Sequence, residues 1–220
     1  MGNSKIFSMQ GSLWKFMERV TTVVVVNILV VLTSLPVVTI GASLAAGYEV
    51  LLTDPHDEYP VVRRYFEAFR KNWKAATGFL LSQLAVGALL VLGAKLSQGS
   101  FAQFLPLLLL AFTIVVGQVF YPLLGLTGWT LGRSTKGSIG IALRYTFWPV
   151  VASALWVGSL LLPVTFPKLA FLWVCVGVGL PMLATATLLK VPFTKLGLSF
   201  PSEEDDVPPL VSRTTVMSER

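Results

Sequence analysis

Residues 20–48 read VTTVVVVNILVVLTSLPVVTIGASLAAGY, a stretch with no charged residue. With its flanks, the apolar region extends from Leu13 to Leu52, which is too long for one membrane crossing of about 20 residues. Pro36 and Gly41 bracket a turn near its middle, because proline and glycine both punctuate helices. The stretch therefore predicts a first helix, a tight turn, and a shorter second helix that ends near Leu52 and is short or re-entrant.

The rest of the chain has the same apolar character. Of 220 residues, 54% are hydrophobic and only 13% are charged, and the mean hydropathy is +0.73. A soluble domain of this size needs a charged surface that this sequence cannot supply. We therefore predict an all-α, polytopic transmembrane helical bundle of about six spans. The predicted spans are about Leu13–Leu35, 36–52, Ala75–Ala94, Phe104–Leu126, Tyr145–Leu162 and Phe171–Leu189.

The distribution of positive charge favours six spans over five. Lys and Arg residues that flank spans stay on the cytoplasmic side. With six spans and a cytoplasmic N-terminus, fifteen of the 17 Lys and Arg residues lie inside, and only Lys95 and Lys168 lie outside. A single crossing by the first apolar region would place twelve of the Lys and Arg residues inside and five outside. This predicts a cytoplasmic N-terminal segment (1–12), a transmembrane bundle (13–190), and a disordered cytoplasmic tail (191–220) of acidic and mixed character.

Residues 60–74, PVVRRYFEAFRKNWK, carry five of the Lys and Arg residues beside several aromatic ones. At 100° per residue, the apolar side chains fall on one side of a helix and the charged ones on the other. This predicts a basic amphipathic helix at the inner membrane face that binds anionic lipid. The alternative is a docking surface for a cytoplasmic partner. The candidate residues for lipid or partner docking are Arg63, Arg64, Phe66, Phe69, Arg70, Lys71 and Trp73.

Five polar residues within or near the spans are candidates for intramembrane contacts. Asn27, Thr39, Gln83 and Gln118 are uncharged, and such side chains commonly form hydrogen bonds between helices. The alternative is that Asn27 and Gln83 line a site. Glu49 lies near the cytoplasmic end of the second helix, and we expect it to pair with Arg19 or a loop arginine rather than to bind a substrate.

The sequence gives little support for an enzyme. The one histidine, His56, lies in the polar turn TDPHDEY, and Cys175 is the one cysteine. No nucleophile and base can be paired inside the membrane, and metal-ligand spacing is absent. We therefore expect no catalytic centre, no cofactor and no metal. The net charge of +6 is explained by cytoplasmic loops, so a nucleic-acid partner is not expected.

Residues 27–46, NILVVLTSLPVVTIGASLAA, and residues 64–76, RYFEAFRKNWKAA, together resemble the YesL family of small bacterial membrane proteins. The shared features are an Asn in the first span, a Leu-Pro-x-x-Thr-x-Gly turn, and an aromatic and basic helix that leads into the next span. The matching residues are Asn27, Leu35, Pro36, Thr39, Gly41, Phe66, Phe69 and Trp73.

The resemblance implies a multi-pass protein of the bacterial plasma membrane. Members of that family have no assigned biochemical function and tend to be encoded beside sugar-uptake ABC transporters. The expected function is thus an accessory or regulatory component associated with carbohydrate uptake, with ABC transporter subunits or another membrane protein as partner. The alternative is a small transporter or channel for an uncharged solute.

Overall fold

The structure is a computed structural model that describes residues 12–53, 60–166, 168, 173 and 177–195. Within these residues it is an all-α helical bundle without strands, which confirms the predicted fold class. We number its main helices in chain order. They are α1 (Ser12–Thr33), α2 (Ile40–Leu52), α3 (Val61–Leu96), α4 (Phe104–Thr127), α5 (Leu131–Arg144), α6 (Phe147–Thr165) and α7 (Gly179–Lys195).

The turn between α1 and α2 lies where the proline and glycine predicted it. A single 3₁₀ turn, Val37–Thr39, follows Pro36 and leads directly into α2. The Thr39 hydroxyl donates to the carbonyl oxygens of Thr33 (2.5 Å) and Pro36 (2.6 Å). The first of these bonds uses the carbonyl of the last residue of α1, which has no helical donor.

Helix α2 is short and lies at the centre of the bundle. Its 13 residues give a length of about 20 Å, which is less than the thickness of a hydrocarbon core. Ten of its residues are buried, and it packs against α1, α3, α4 and α7. Small residues allow α4 to come close to α2. A Cβ on Gly125 of α4 would lie 2.8 Å from the carbonyl oxygen of Ala45 and 2.9 Å from the amide nitrogen of Glu49, so only glycine fits at this position without a shift.

Helix α3 corrects one prediction. The segment 60–74 was expected to form a separate interfacial helix before the span Ala75–Ala94. Instead one continuous helix of 36 residues contains both, and its length is about 54 Å. Pro60 occupies the N-cap position, which agrees with the expected role of proline at a helix start.

Helices α3 and α4 form an antiparallel hairpin. The rings of Phe79 and Phe120 stack with centroids 3.6 Å apart, and beside the α3–α4 connection Gly93 faces Pro106. At its C-terminal end, α4 stops at Gly128, which adopts a left-handed conformation (φ 59°, ψ 25°). Glycine suits this position because it lacks the Cβ that penalises positive φ.

The later helices differ from the prediction in two places. The span Tyr145–Leu162 corresponds to α6, whereas the loop expected before it contains the 14-residue helix α5. Helix α7 continues to Lys195, five residues into the segment predicted as a disordered tail. The part of the predicted last span before residue 177 lies largely outside the described residues, as do residues 196–220.

Three helices of the described chain are long and apolar enough to cross a membrane: Val61–Leu96, Phe101–Thr127 and Phe147–Thr165. Val37–Leu52 is a shorter apolar helix. The protein therefore has the helices of a membrane protein, and the number of spans stays a prediction.

Candidate functional site

The first part of α3 has one buried face and one exposed face. Tyr65, Ala68 and Asn72 are the buried residues of the segment 60–74. Their spacing of three and four residues places them on one side of the helix. On the exposed side, Phe66 and Trp73 are each 43% exposed. The segment therefore packs against the bundle through one face and leaves the other face exposed.

A hydroxyl network anchors this segment to the α1–α2 turn. The hydroxyl oxygens of Thr33 and Tyr65 lie 2.6 Å apart, and Thr33 donates to the hydroxyl of Ser43 at 2.8 Å. Tyr65 also donates to the carbonyl oxygen of Ser43 at 3.4 Å. Tyr65 is fully buried, so these bonds satisfy a phenol that would otherwise be costly to bury.

Glu49 holds the same segment to α2. Its two carboxylate oxygens accept hydrogen bonds from the Lys71 ammonium group (3.0 Å) and from the Asn72 side-chain amide (2.6 Å). The expected pairing with Arg19 or a loop arginine was therefore wrong, although the prediction of an ion pair was right. Lys71 was a candidate for docking and instead contributes to an intramolecular ion pair.

The other predicted docking residues lie at different depths. Arg70 is exposed, Arg64 and Phe69 are partly buried, and Phe69 packs against the main apolar core. Arg63 is exposed and forms an ion pair with Glu67 at 2.9 Å, one helical turn away. Such exposed pairs contribute only a few tenths of a kcal/mol. The exposed members of the predicted set are thus Arg63, Phe66, Arg70, Lys71 and Trp73, of which Arg63 and Lys71 form ion pairs within the chain.

Asn27 is a helix cap between the first and last helices. Its side-chain oxygen accepts hydrogen bonds from the backbone amides of Val178 (2.8 Å) and Gly179 (2.7 Å). Those amides stand at the start of α7, where the first N–H groups have no helical acceptor. Asn27 is completely buried. Its position fits the hydrogen bonding between helices that the sequence predicted.

The remaining polar candidates do not meet at one site. Gln83 donates to the carbonyl oxygen of Thr113 at 3.0 Å and joins α3 to α4. Thr39 belongs to the α1–α2 turn, and Gln118 is a half-buried residue of α4. Gln83 also lines a cavity of about 220 Å³ between α3, α4 and α5, which includes neither Asn27 nor Thr39 nor Gln118 among its lining residues.

Tyr65 and Asn72 were not among the residues predicted to form contacts. The available signal was the stripe of Tyr65, Ala68, Asn72, Ala76 and Phe79, whose small and hydrogen-bonding residues are typical of helix contacts in membranes. In a lipid environment this stripe, and not the most apolar one, packs against the other helices.

Titratable groups give no sign of a metal centre in the described part of the chain. No group of three His, Cys, Asp or Glu side chains is placed to hold an ion there. The polar turn that contains His56 and the segment around Cys175 lie outside the described residues.

Comparisons with known proteins give one match. No curated protein matches the chain, and no solved structure matches it. Residues 23–94, about a third of the chain, match a family described as "Protein of unknown function, DUF624". That segment contains Asn27, the α1–α2 turn and the anchored part of α3, so the matched region is the one in which the candidate contacts concentrate.

Proposed function

We propose that this is a membrane protein without a catalytic centre that acts as an accessory or regulatory component, with the exposed face of residues 61–74 as its docking face. The observation that carries the proposal is the fixed orientation of this segment. Tyr65 and the Glu49–Asn72 bond hold its inner face, and Phe66 and Trp73 remain exposed beside Arg70 and Lys74. A presented face of aromatic and cationic residues suits a protein partner or an anionic membrane surface.

The association with carbohydrate uptake rests on the resemblance to the YesL family. It makes subunits of a sugar ABC transporter the first partners to test. The charge distribution supports a multi-pass orientation in a bacterial plasma membrane with both termini in the cytoplasm. In that orientation the docking face lies where the cytoplasmic parts of a transporter are accessible.

A second candidate function is a small transporter or channel for an uncharged solute. One observation favours it: the cavity of about 220 Å³ between α3, α4 and α5 is lined by Ser82, Gln83, Thr113 and Thr135 together with apolar side chains. Polar uncharged groups in such a cavity could bind an uncharged solute. A solute path also requires the cavity to open to both sides of the membrane.

Affinity purification in a mild detergent tests the accessory function. We would compare the wild type with Arg70→Gln/Lys74→Gln, which keeps the aromatic residues and the Glu49 contacts. The matched control is Lys95→Gln, which removes a cation from the other end of the same helix. Recovery of a transporter subunit with the wild type and the control, and its selective loss with the double variant, is expected. Equal recovery with all three proteins would contradict the docking face.

The transporter alternative has a separate test. Gln83→Leu removes the amide from the cavity, and uptake of labelled uncharged solutes is then measured in reconstituted vesicles. Solute uptake by the wild type that Gln83→Leu abolishes would favour the transporter. No uptake by either protein would favour the accessory function.

A further inference from the structure

A second open site lies on α5, separate from the docking face on α3. A cavity of about 370 Å³ runs along this helix and is lined by Leu123, Trp129, Gly137, Gly140, Ile141, Arg144 and Tyr145. Gly137, Gly140, Ile141 and Arg144 repeat at three- and four-residue intervals, so they form one face of α5. Gly140 forms the open floor of a trough, whereas Leu123 and Trp129 pack over Gly137, 3.1 and 3.6 Å from where its Cβ would lie.

The cations of α5 have no carboxylate nearby in the sequence. Between Glu67 and Glu203 the chain contains no acidic residue. Arg133 instead stacks over the ring of Trp129, with its guanidinium carbon 4.3 Å from the ring centroid, and Arg144 lies 5.9 Å from that of Tyr145. Cation–π contacts orient a guanidinium group without neutralising its charge. An anion that binds here must therefore come from another molecule or from a distant part of the chain.

The position of the trough indicates which anion fits. Helix α4 ends at Thr127, and the next residue, Gly128, lies against Lys71 of the basic segment: a Cβ on Gly128 would meet the Cε of Lys71 at 2.9 Å. Leu123, in the last turn of α4, and the buried Ile141 form the apolar wall. The trough thus joins an apolar wall to a cationic rim at the level where the apolar helix ends.

We propose that the α5 trough binds one anionic phospholipid of the inner leaflet, with its phosphate at Arg144 and an acyl chain along Gly140 and Ile141. Arginine binds phosphate through paired, charge-assisted hydrogen bonds. Gly140 leaves space for a hydrocarbon chain, because a Cβ at this position would meet no atom within 4 Å. A soluble phosphate compound would use the cationic rim but not the apolar wall, and for this reason the lipid is the better fit.

Two glycines of α5 provide a matched pair of variants. A Cβ on Gly140 or on Gly132 would meet no atom within 4 Å, so leucine at either position causes no backbone clash. Both changes also favour the helix, because leucine has a higher helix propensity than glycine. Gly140→Leu fills the trough, whereas Gly132→Leu lies on the same helix outside it.

Native mass spectrometry of the delipidated full chain in detergent is the test, with phosphatidylglycerol or phosphatidylcholine added back. We expect one phosphatidylglycerol to bind the wild type and Gly132→Leu. Gly140→Leu and Arg144→Gln should each bind it at least about tenfold more weakly, which corresponds to the loss of one good contact. Phosphatidylcholine should bind all four proteins weakly and equally.

Three results would overturn the proposal. Gly140→Leu could bind phosphatidylglycerol as tightly as Gly132→Leu, which would exclude the trough. Phosphatidylcholine could bind the wild type as tightly as phosphatidylglycerol, which would show an unselective apolar surface. Glycerol 3-phosphate could displace the lipid at an equal concentration, which would identify a soluble anion as the ligand. The size-exclusion profile of each variant confirms that it is folded.

Discussion

The two halves of α3 belong to one helix but are stabilised in different ways. All of its buried residues, from Tyr65 to Phe79, lie in the inner half, Val61–Phe79. The outer half, Leu80–Leu96, exposes large apolar side chains such as Leu89 at 69% and Leu96 at 81%. The inner half is therefore defined by its buried contacts with other helices. The outer half has fewer specific contacts, such as the Gln83–Thr113 hydrogen bond, and is defined mainly by its length and hydropathy. A bilayer can replace protein contacts for the second kind of helix but not for the first.

The largest expected effect concerns which side of the membrane each end of α3 faces. In a Cys175→Ala background, a cysteine at Ser100 should react with an impermeant thiol reagent in intact cells, because the overall distribution of Lys and Arg predicts that the loop after α3 lies outside. A cysteine at Asp57 should react only after the cells are opened. Labelling at Asp57 in intact cells would reverse the assignment of the two halves.

The second prediction compares two glycines. Gly125 of α4 contacts α2, and Gly87 of α3 contacts α4. Gly125→Ala should lower the free energy of unfolding by about 3 kcal/mol, the upper end of the range for overpacking, since the new methyl group meets backbone atoms of α2. Gly87→Ala is its control in the outer half, where the nearest atom is 3.7 Å from the new Cβ. Thermal unfolding in detergent measures both, and equal melting temperatures would show that the α2–α4 contact at Gly125 is no tighter than the α3–α4 contact at Gly87.

A smaller effect is expected for the polar anchor of the inner half. Asn72→Leu keeps the same branching of heavy atoms but leaves one oxygen of the Glu49 carboxylate without its amide donor. We expect a loss of about 1–2 kcal/mol, because a partly buried acceptor without its donor keeps part of its desolvation cost. Asn72→Gln is the control that can restore the donor. A melting temperature unchanged in Asn72→Leu would mean that water replaces the amide.

The smallest effect is expected for Gln83 in the outer half. Its hydrogen bond to Thr113 joins the two helices of the hairpin, and such bonds in membranes contribute about 0.6 kcal/mol on average. Gln83→Leu should therefore leave the melting temperature nearly unchanged, with Leu84→Ala as an exposed control in the same helix. A loss as large as that of Asn72→Leu would show that specific contacts also stabilise the outer half.

Local signals predicted the α1–α2 turn, since Pro36 and Gly41 restrict the backbone at their own positions. The helical character of residues 60–74 was equally local. The continuity of α3 was also present in the sequence, because residues 61–77 contain neither proline nor glycine. It was missed because the amphipathic segment was assumed to turn along the membrane surface.

Other features depend on distant parts of the chain. Helix α5 contains Gly132, Gly137 and Gly140, which are typical of a loop, and it is stabilised by packing of its buried face against neighbouring helices. The partner of Glu49 could not be chosen from several nearby cations by charge alone. The exposed face of residues 61–74 was predicted in part: Phe66 and Trp73 are exposed, whereas the packed stripe with Tyr65 and Asn72 required the positions of α1 and α2.

The cap at Asn27 joins two parts of the chain that are synthesised at different times. Its two donors, Val178 and Gly179, follow it by 151 and 152 residues. At a translation rate of about 5–20 residues per second, the ribosome needs roughly 8–30 seconds to reach them. During that interval the two backbone donors of the Asn27 cap do not yet exist. Chains that end before α7 would lack both hydrogen bonds, which would distinguish unfinished copies from complete ones.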